Sequence, residues 1–507
     1  MIKSEKNSLK ERRDKLDKIK ELGFDPYPHR YEVSHEVSEL ICEFSSASVE
    51  ELKLKDVHVK TAGRVVSMRG HGKVGFSDLS GQGVKIQLYV REDKVGDENY
   101  RLYKLFDIGD IIGVSGKVFR TRMGELSLAV DRVHLLAKSL CPLPDKWHGL
   151  RDVERRFRQR YLDLIANSDV RHIFFRRGRI IREIREFFDE HGFLEVETPM
   201  MQPIAGGAAA RPFKTFHEAL GIPLYLRIAP ELYLKRLTIG GIDRVYEINR
   251  NFRNEGISIQ HNPEFTMLEF YMTYVDYNDL MNFTEEMLTR VVERVTESSK
   301  VVFGDDVLDF GDFKRLSMVE AILKYWPNSI NDPGKNHLDD RNFLIQSLKK
   351  LGENVEESAS WGVLLVQLFE AIVEPRLIQP TFIYDYPKDT SPLAKTKKSD
   401  TRFVERFELY AGAFEIANAY SELNDPLEQE KRFEQQIQQK EKGNQEAHCL
   451  DKEYLRAMSY GLPPTGGFGL GIDRLTMLLT NRRSIREVIF FPQLRPEDGR
   501  NPEKEQA

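Results

Sequence analysis

Across Arg244–Tyr274, RVYEINRNFRNEGISIQHNPEFTMLEFYMTY, groups able to bind a ligand return at every second residue. Val245, Glu247, Asn249, Asn251, Arg253 and Glu255 share one face of an extended segment, with Tyr246, Ile248 and Phe252 on the other. Beyond the Gly256–Pro263 stretch, Phe265, Met267, Glu269 and Tyr271 share a face, and Leu268, Phe270 and Met272 line its reverse. A period of two with one apolar side describes two half-buried strands, and a segment bounded by Gly and Pro describes the loop between them. Arginine, carboxamides and carboxylates crowded on one face, with an aromatic ring at its loop end, suit an anionic, planar ligand. A guanidinium offers phosphate or carboxylate oxygens a fork of donors. An ordinary surface hairpin with charged cross-strand pairs has the same periodicity, so the surrounding residues have to decide between the two.

Those surroundings read as a series of elements able to position the face. Ile173, Ile180, Ile181, Ile184, Phe187 and Phe188 recur at helical spacing before Gly192, and FLEVETPMM follows as a strand ended by Pro199. Gly206–Phe213 is a small-residue loop, and YLRIAPELYLKRL puts Glu231 after a strand and at a helix start, where its charge also favours the helix dipole. A further amphipathic helix spans Asp279–Ser299, with Leu280, Phe283, Leu288, Val291 and Val295 inward. Residues 301–374 read as a helical insertion without nameable chemistry. TFIYDYPKDTSPLAK is a strand and loop; ERFELYAGAFEIANAYSELND carries Glu408, Glu415, Asn418 and Glu422; and Thr465–Arg474, TGGFGLGIDR, is a glycine-rich turn from strand to helix. It lacks the Gly-Lys-Ser/Thr of a Walker loop.

The N-terminal part has a different texture. Lys6–Leu22 reads as a basic helix with Leu9, Leu16, Ile19 and Leu22 as its apolar stripe, either packed on its neighbour or serving as an RNA-binding arm. From Asp56 to His134 short alternating strands with glycine turns suggest a small barrel or sandwich. Burial of Ile86, Leu88 and Val90 turns Gln87 outward. The proline-broken Cys141–Gly149 marks a boundary. The expected layout is a helical segment 1–50, a small barrel 51–140, a linker 141–170, a second domain 171–496 and a flexible tail 497–507.

FRNE at Phe252–Glu255, followed by HNPEFTMLEFY, resembles the second signature motif of class II aminoacyl-tRNA synthetases, in wording that looks like the lysyl-tRNA synthetases in particular. The helix, strand and proline ending at Pro199 resemble the first motif, which in the family builds the homodimer interface, and Thr465–Arg474 resembles the third. The resemblance covers about residues 5–495. It implies an α+β protein: a five-stranded OB-fold β-barrel, then a catalytic domain with an antiparallel β-sheet flanked by helices. It also implies that Arg69, Phe76, Gln87 and Glu125 bind the anticodon of tRNA(Lys) by stacking and hydrogen bonding; alone, Phe76 would as readily be a core phenylalanine.

The implied reaction is attack of an amino acid's carboxylate on the α-phosphorus of ATP, so the site must neutralise charge and hold geometry. By resemblance Arg253 clamps carboxylate and α-phosphate, Arg474 grips the γ-phosphate, and Phe265 faces adenine with Glu255, His261 and Asn262 nearby. Glu408 and Glu415 hold Mg²⁺, a cation satisfied by one or two carboxylates plus phosphates and water, and Glu408 also belongs to the ATP site. L-lysine is received by Gly207, Glu231 (α-ammonium), Glu269, Asn418, and, at the side-chain ammonium, Tyr271 and Glu422. An ammonium is costly to desolvate unless paired, and acids at that end favour lysine over aspartate. A strict period of two sets Glu415 on the face opposite Asn418 and Glu422, so either a bulge intervenes or the three approach from a strand and its end. Ala417 and Ala419 stand where many family members carry glycine, which would narrow the space around the substrate.

The 507 residues are 40% hydrophobic and 31% charged, with a formal net charge of −5. This describes a globular protein of several domains rather than an indiscriminate polyanion binder, though a local basic stripe would still suffice for tRNA. No apolar run approaches a membrane span and the charged N-terminus lacks a signal-peptide core. Three scattered cysteines form neither a disulfide framework nor a zinc site; the expected setting is the cytoplasm. Three rival readings are weighed. An aspartyl- or asparaginyl-tRNA synthetase conflicts with the acidic surroundings of Glu422, and a lysyltransferase acting on a protein factor would not need the barrel at 56–134. A non-catalytic RNA-binding paralogue conflicts with the presence of Arg253, Glu408, Glu415 and Arg474.

Overall fold

Alternating valines, isoleucines and leucines close five N-terminal strands on one another. They are β1 (His58–His71), β2 (Val74–Gly81), β3 (Val84–Arg91), β4 (Ile111–Arg120) and β5 (Leu126–Ala137), forming a barrel in the order β1-β2-β3-β5-β4. The one parallel pairing is β3 with β5. Gln82 and Gly83 both have positive φ, the two-residue turn whose twist matches a hairpin. Val65, Leu79, Leu88, Val114 and Leu128 fill the interior, joined by Ile19, Val37, Leu40 and Phe44 from the preceding helices. The basic N-terminal helix, Ile2–Glu21, thus lends Ile19 of its apolar stripe to the barrel core, while Leu22 beyond its end is exposed.

The computed structural model describes residues 2–144, 150–204, 206–207, 210–328, 337–441 and 450–496. The expected tail, Cys449 and most of the 141–149 link lie outside the described residues. The chain divides into two compact units between Arg171 and His172. Among the described residues no helix is long and apolar enough to cross a membrane.

The larger unit is built on an eight-stranded sheet. Its further strands in chain order are β6 (Leu194–Glu195), β7 (Met201–Gln202), β8 (Lys214–His217), β9 (Ile222–Leu226), β10 (Arg244–Phe252), β11 (Glu264–Thr273), β12 (Lys300–Phe303), β13 (Asp306–Asp309), β14 (Lys314–Ser317), β15 (Thr381–Pro387), β16 (Phe403–Ala411), β17 (Phe414–Ser421) and β18 (Thr465–Gly471). The sheet order is β14-β15-β16-β17-β18-β11-β10-β6. Its interior pairs are antiparallel and only the edge pairs, β14–β15 and β10–β6, are parallel. Strands β7-β9-β8 form a separate small sheet, and β12–β13 a hairpin.

One face of the large sheet is oily. Leu268, Phe270, Leu409, Phe468 and Leu470 meet Ile180, Ile184, Phe187 and Phe188 of the helix Ser168–Glu190, and Leu280, Leu288 and Val291 of the helix Tyr277–Thr296. Phe270 stacks on Phe468 at 4.8 Å and tilts against Phe188 at 5.2 Å; truncating such a ring to alanine costs roughly 3–5 kcal/mol. This layer fixes the sheet and leaves its reverse to polar groups. Gly192, at φ +72°, ends the first of these helices in the left-handed conformation that glycine adopts without strain.

Residues 301–374 are not only helical. They open with β12, β13 and β14, and β14 joins the main sheet beside β15. Four-residue strands are too short for their alternation to stand out in the sequence. The helices Met318–Lys324, Arg341–Leu351 and Trp361–Ile372 then pack with Ile383, Val404 and Tyr410 of β15 and β16 into one core. The stretch is therefore part of the domain's structure, not a detachable appendage.

Candidate active site

On the polar face of the sheet lies a cleft of about 620 Å³. The hairpin β10–β11 supplies its floor in the register Glu247↔Glu269 and Asn251↔Phe265. Strand β18 pairs with β11 on the other side, Tyr271↔Gly467, Glu269↔Gly469 and Met267↔Gly471. Phe265 and Tyr271 are thus six residues apart along one strand, about 20 Å at some 3.3 Å per residue. The cleft has two ends, one at Phe265 and Gly471, the other at Tyr271 and Gly467.

At the first end Arg253 follows directly on β10. Its backbone N–H donates to Pro263 O at 2.9 Å, and its guanidinium lies 5.1 Å from the Phe265 ring centroid. Arg474 comes from the helix Ile472–Leu479, which starts immediately after β18. Its guanidinium donates to Glu415 O at 2.6 Å and Glu415 Oε2 at 3.1 Å, and its other terminal nitrogen is 3.3 Å from His261 Nε2. Burial and the neighbouring Arg474 hold the His261 imidazole below its ordinary pKa, which keeps it neutral. Asn262 is buried, donating to Glu264 O and accepting from the Gln493 backbone. Glu255 is exposed on the cleft rim.

The conflict of faces in β17 is resolved by a bulge. Glu408 pairs with Asn418 and Leu409 with Ala417, but Tyr410 pairs with Glu415, leaving Ile416 as an extra residue. Partners across a ladder share a face, so the extra residue turns Glu415 to the side of Asn418 and Glu408. Ala417 and Ala419 point the other way, into the oily layer. Ala417 nevertheless borders the cleft, whereas Ala419 does not.

Glu408 accepts from Tyr386 OH at 2.8 Å and Tyr410 OH at 2.5 Å, and Arg406 holds its other oxygen. Burial and the neighbouring Glu408 raise the pKa of Glu415 against the pull of Arg474 and Arg406. A buried carboxylate whose proton affinity an adjacent carboxylate raises is what a bound cation would relieve. Among the described residues no set of three or more His, Cys, Asp or Glu could enclose a metal.

At the second end Glu231 is the first residue of the helix Glu231–Ile239, and Gly207 faces it. Gly207 has φ +90°, and a Cβ there would approach those of Ala229 and Glu231 to 3.2 Å, so glycine fits on both counts. Tyr420 OH donates to Glu231 Oε1 at 2.7 Å. Glu269 is buried, accepts from Asn251 Nδ2 at 3.2 Å, and is pushed up to about 8 by burial and by Glu231. Glu422 does not line the cleft. It lies one layer behind, 1% exposed, against Gly467 and Tyr271, which do line it. Its companion there is Lys235, one helical turn after Glu231.

Every other catalytic-domain candidate lines this one cleft: Gly207, Glu231, Arg253, Glu255, His261, Asn262, Phe265, Glu269, Tyr271, Glu408, Glu415, Asn418 and Arg474. Sequence reading missed Arg406, which donates to Asn418 Oδ1 at 2.9 Å and Ser391 Oγ at 2.8 Å while holding Glu408. Its place two residues before Glu408 on an alternating strand was the available signal. Lys235 was likewise marked by its i,i+4 spacing from Glu231.

In the smaller unit Arg69 pairs with Phe76 across β1 and β2, and Phe76 with Tyr89 across β2 and β3. Phe76 and Tyr89 are 5.0 Å apart, Tyr89 and Phe119 6.0 Å, and Arg69 lies 5.7 Å over Phe76. None of these rings belongs to the barrel core; they form an aromatic strip outside it. Gln87 departs from expectation. Its face is as read, but the side chain is buried because it donates to Glu125 Oε2 at 3.0 Å and accepts from Ser127 Oγ at 3.2 Å.

A family model described as tRNA synthetases class II (D, K and N) matches residues 152–495, and one described as an OB-fold nucleic acid binding domain matches residues 59–136. The chain is 50% identical over 491 residues to a lysine–tRNA ligase of Carboxydothermus hydrogenoformans, covering 97% of this chain and 98% of that one. It is 47% identical over 495 residues to a lysine–tRNA ligase of Bacillus subtilis, covering 96% and 97%. Against a lysine–tRNA ligase of Pelotomaculum thermopropionicum it is 49% identical over 491 residues, covering 97% and 95%.

Proposed function

This chain belongs to the class II tRNA synthetases, among the lysine–tRNA ligases, and from that premise we propose how its residues divide the work. It activates L-lysine with ATP and transfers the lysyl group to the 3′ end of tRNA(Lys). The observation that carries the division is the polarity of the cleft: guanidinium groups and Phe265 at one end, carboxylates and Tyr271 at the other.

In the first step a carboxylate oxygen of lysine attacks the α-phosphorus. The bond to the bridging oxygen breaks, pyrophosphate leaves with that electron pair, and an acyl-phosphate bond forms. Arg253 binds both anions and lowers their repulsion; Arg474, with His261 neutral beside it, binds the far phosphates. Phe265, Glu255 and Asn262 receive the base. Glu408 and Glu415 would hold Mg²⁺, which when bound supplies positive charge to the phosphates. No general base is needed because the attacking carboxylate is already ionised. Glu231, Gly207 and Glu269 take the α-ammonium, Asn418 fixes the substrate beside it, and Tyr271 with Glu422 takes the side-chain ammonium. A tRNA ribose hydroxyl then attacks the acyl carbon and AMP leaves.

On the barrel, the strip of Phe76, Tyr89 and Phe119 with Arg69 above it offers stacking faces to splayed bases, and Gln87 and Glu125 offer donors and acceptors. Homodimerisation through the first motif is supported by Leu194, Met200 and Met201, which are about half exposed. Two exposed free cysteines, Cys42 and Cys141, accord with a cytoplasmic setting.

An aspartate- or asparagine-specific site would need a free cation or donor at the second end. The cation there, Lys235, is already taken by Glu231 and Glu422. Pyrophosphate exchange into ATP, run with each of the twenty amino acids, tests the reading. Exchange with lysine alone is expected; exchange with aspartate and not lysine would reverse the assignment.

A further inference from the structure

Behind the cleft wall sits a lysine that belongs to the protein. Lys235 is 0% exposed. Its Nζ is 2.5 Å from Glu231 Oε1 and in contact with Glu422 Oε2. It lies 5.9, 5.5 and 5.9 Å from the ring centroids of Tyr271, Tyr420 and Tyr454. Burial works against its charge, but Glu231, Glu422 and Tyr454 outweigh burial, so its pKa stays above the ordinary lysine value. Neither oxygen of Glu422, equally buried, has a hydrogen-bond partner; Oε2 has its ion pair with Lys235, and Oε1 has no counterpart among the described residues. That oxygen lies against Gly467 and beside Tyr271, both on the cleft wall.

One carboxylate is therefore shared between a resident ammonium on Oε2 and a vacant acceptor position on Oε1. The same cation bridges Glu231 and Glu422, the two acids assigned to the two ammonium groups of a bound lysine. We infer that Lys235 is a resident counter-ion of the amino-acid pocket, positioning Glu422 and Glu231 for a ligand with two ammonium groups at lysine spacing. This inference rests on the lysine-activating reading. Three enclosed carboxylates, Glu231, Glu269 and Glu422, with no cation would take up protons or swing apart. Lys235 draws Glu422 back toward its ionised form against burial, and holds Glu422 and Glu231 oriented between turnovers. Lys235 acts through Glu422 and Glu231 and is a positioning residue that determines specificity, not one that touches the reacting atoms.

The test uses the full chain and pyrophosphate exchange. Lys235→Met keeps the side chain's length and removes its charge. The expected result is a KM for lysine raised about 100-fold, the scale of breaking a buried pair, with KM for ATP within about threefold of wild type. In Lys235→Ala, added n-propylammonium should restore lysine KM saturably, while 1-propanol should not. Where the neutral variants do not fold, Lys235→Arg decides: it keeps the charge and should hold lysine KM within about tenfold of wild type, and n-propylammonium present during refolding should recover Lys235→Ala. An unchanged lysine KM in Lys235→Met overturns the inference, as do equal losses for lysine and ATP, or the absence of any rescue. A wild-type protein that does not exchange with lysine would instead sink the functional reading, independently of every Lys235 variant.

Discussion

Gly467 and Glu422 approach so closely that a methyl group on residue 467 would stand 2.1 Å from Glu422 Oε1 and 2.6 Å from the Tyr271 ring. The acid proposed to receive the substrate's side chain is therefore seated through the missing side chain of a glycine on the next strand. Gly467→Ala should abolish lysine-dependent exchange while leaving ATP binding near wild type, because Phe265, Arg253 and Arg474 lie at the other end of the cleft. Separate KM values for the two substrates check this. A variant with normal lysine KM would mean that Glu422 moves aside freely.

Glu422→Gln removes one partner of a buried pair and leaves Lys235 with unmatched charge. Such a loss costs roughly 3–5 kcal/mol, so lysine binding should fall by two orders of magnitude or more, with ATP spared. Equal weakening for ATP would assign the residue to the nucleotide end.

Glu269, with its pKa pushed up to about 8 by burial and Glu231, holds a proton in the empty cleft at neutral pH. An incoming ammonium favours the carboxylate, so lysine binding at pH 7 should release protons. The release should fade well above pH 8, where the carboxylate is already ionised. Calorimetry in buffers of different ionisation enthalpy measures it, and a binding heat independent of buffer at pH 7 would contradict the assignment. The stability linkage has a definite sign. The folded pKa lies above the unfolded one, so this group's contribution is fully present below about pH 4.5 and is lost as pH rises through about 8.

Phe76→Ala should lower tRNA aminoacylation and leave pyrophosphate exchange unchanged. A stacked base is worth about 1–3 kcal/mol, so the effect belongs in the KM for tRNA. Loss of both activities would show that the ring supports the barrel instead.

Much of this was legible in the residues because both ends of the cleft are written in period two. Arg253, Phe265, Glu269 and Tyr271 could be placed on one surface from the hairpin alone, and the register Glu247↔Glu269 agrees. What stayed hidden arose where alternation breaks or where a partner comes from elsewhere in the chain. Gln87 was read as outward, correctly for its face, but Ser127, its partner on the adjacent strand β5, and Glu125 just before that strand cover it. The spacing of Lys235 from Glu231 showed only one of its partners, because the second, Glu422, lies far along the sequence. Strand β14 is only four residues long and shows itself through its pairing with β15. Glu422 was expected in the cleft and stands just behind it, a difference set by a glycine that no spacing rule singles out.

The surplus Ile416 has a consequence for how this strand can evolve. A ladder that ran through the same residues without the bulge would set Ile416 opposite Tyr410 and rotate Glu415 into the greasy layer beside Leu409 and Ala417. The acid beside Arg474 would then be exchanged for a hydrocarbon, while Asn418 kept its place. Losing Ile416 itself would leave Glu415 opposite Tyr410, so the face of Glu415 depends on the two-against-one count and not on the Ile416 side chain. The phosphate-side and amine-side halves of the cleft are kept in phase by one irregularity in the pleat.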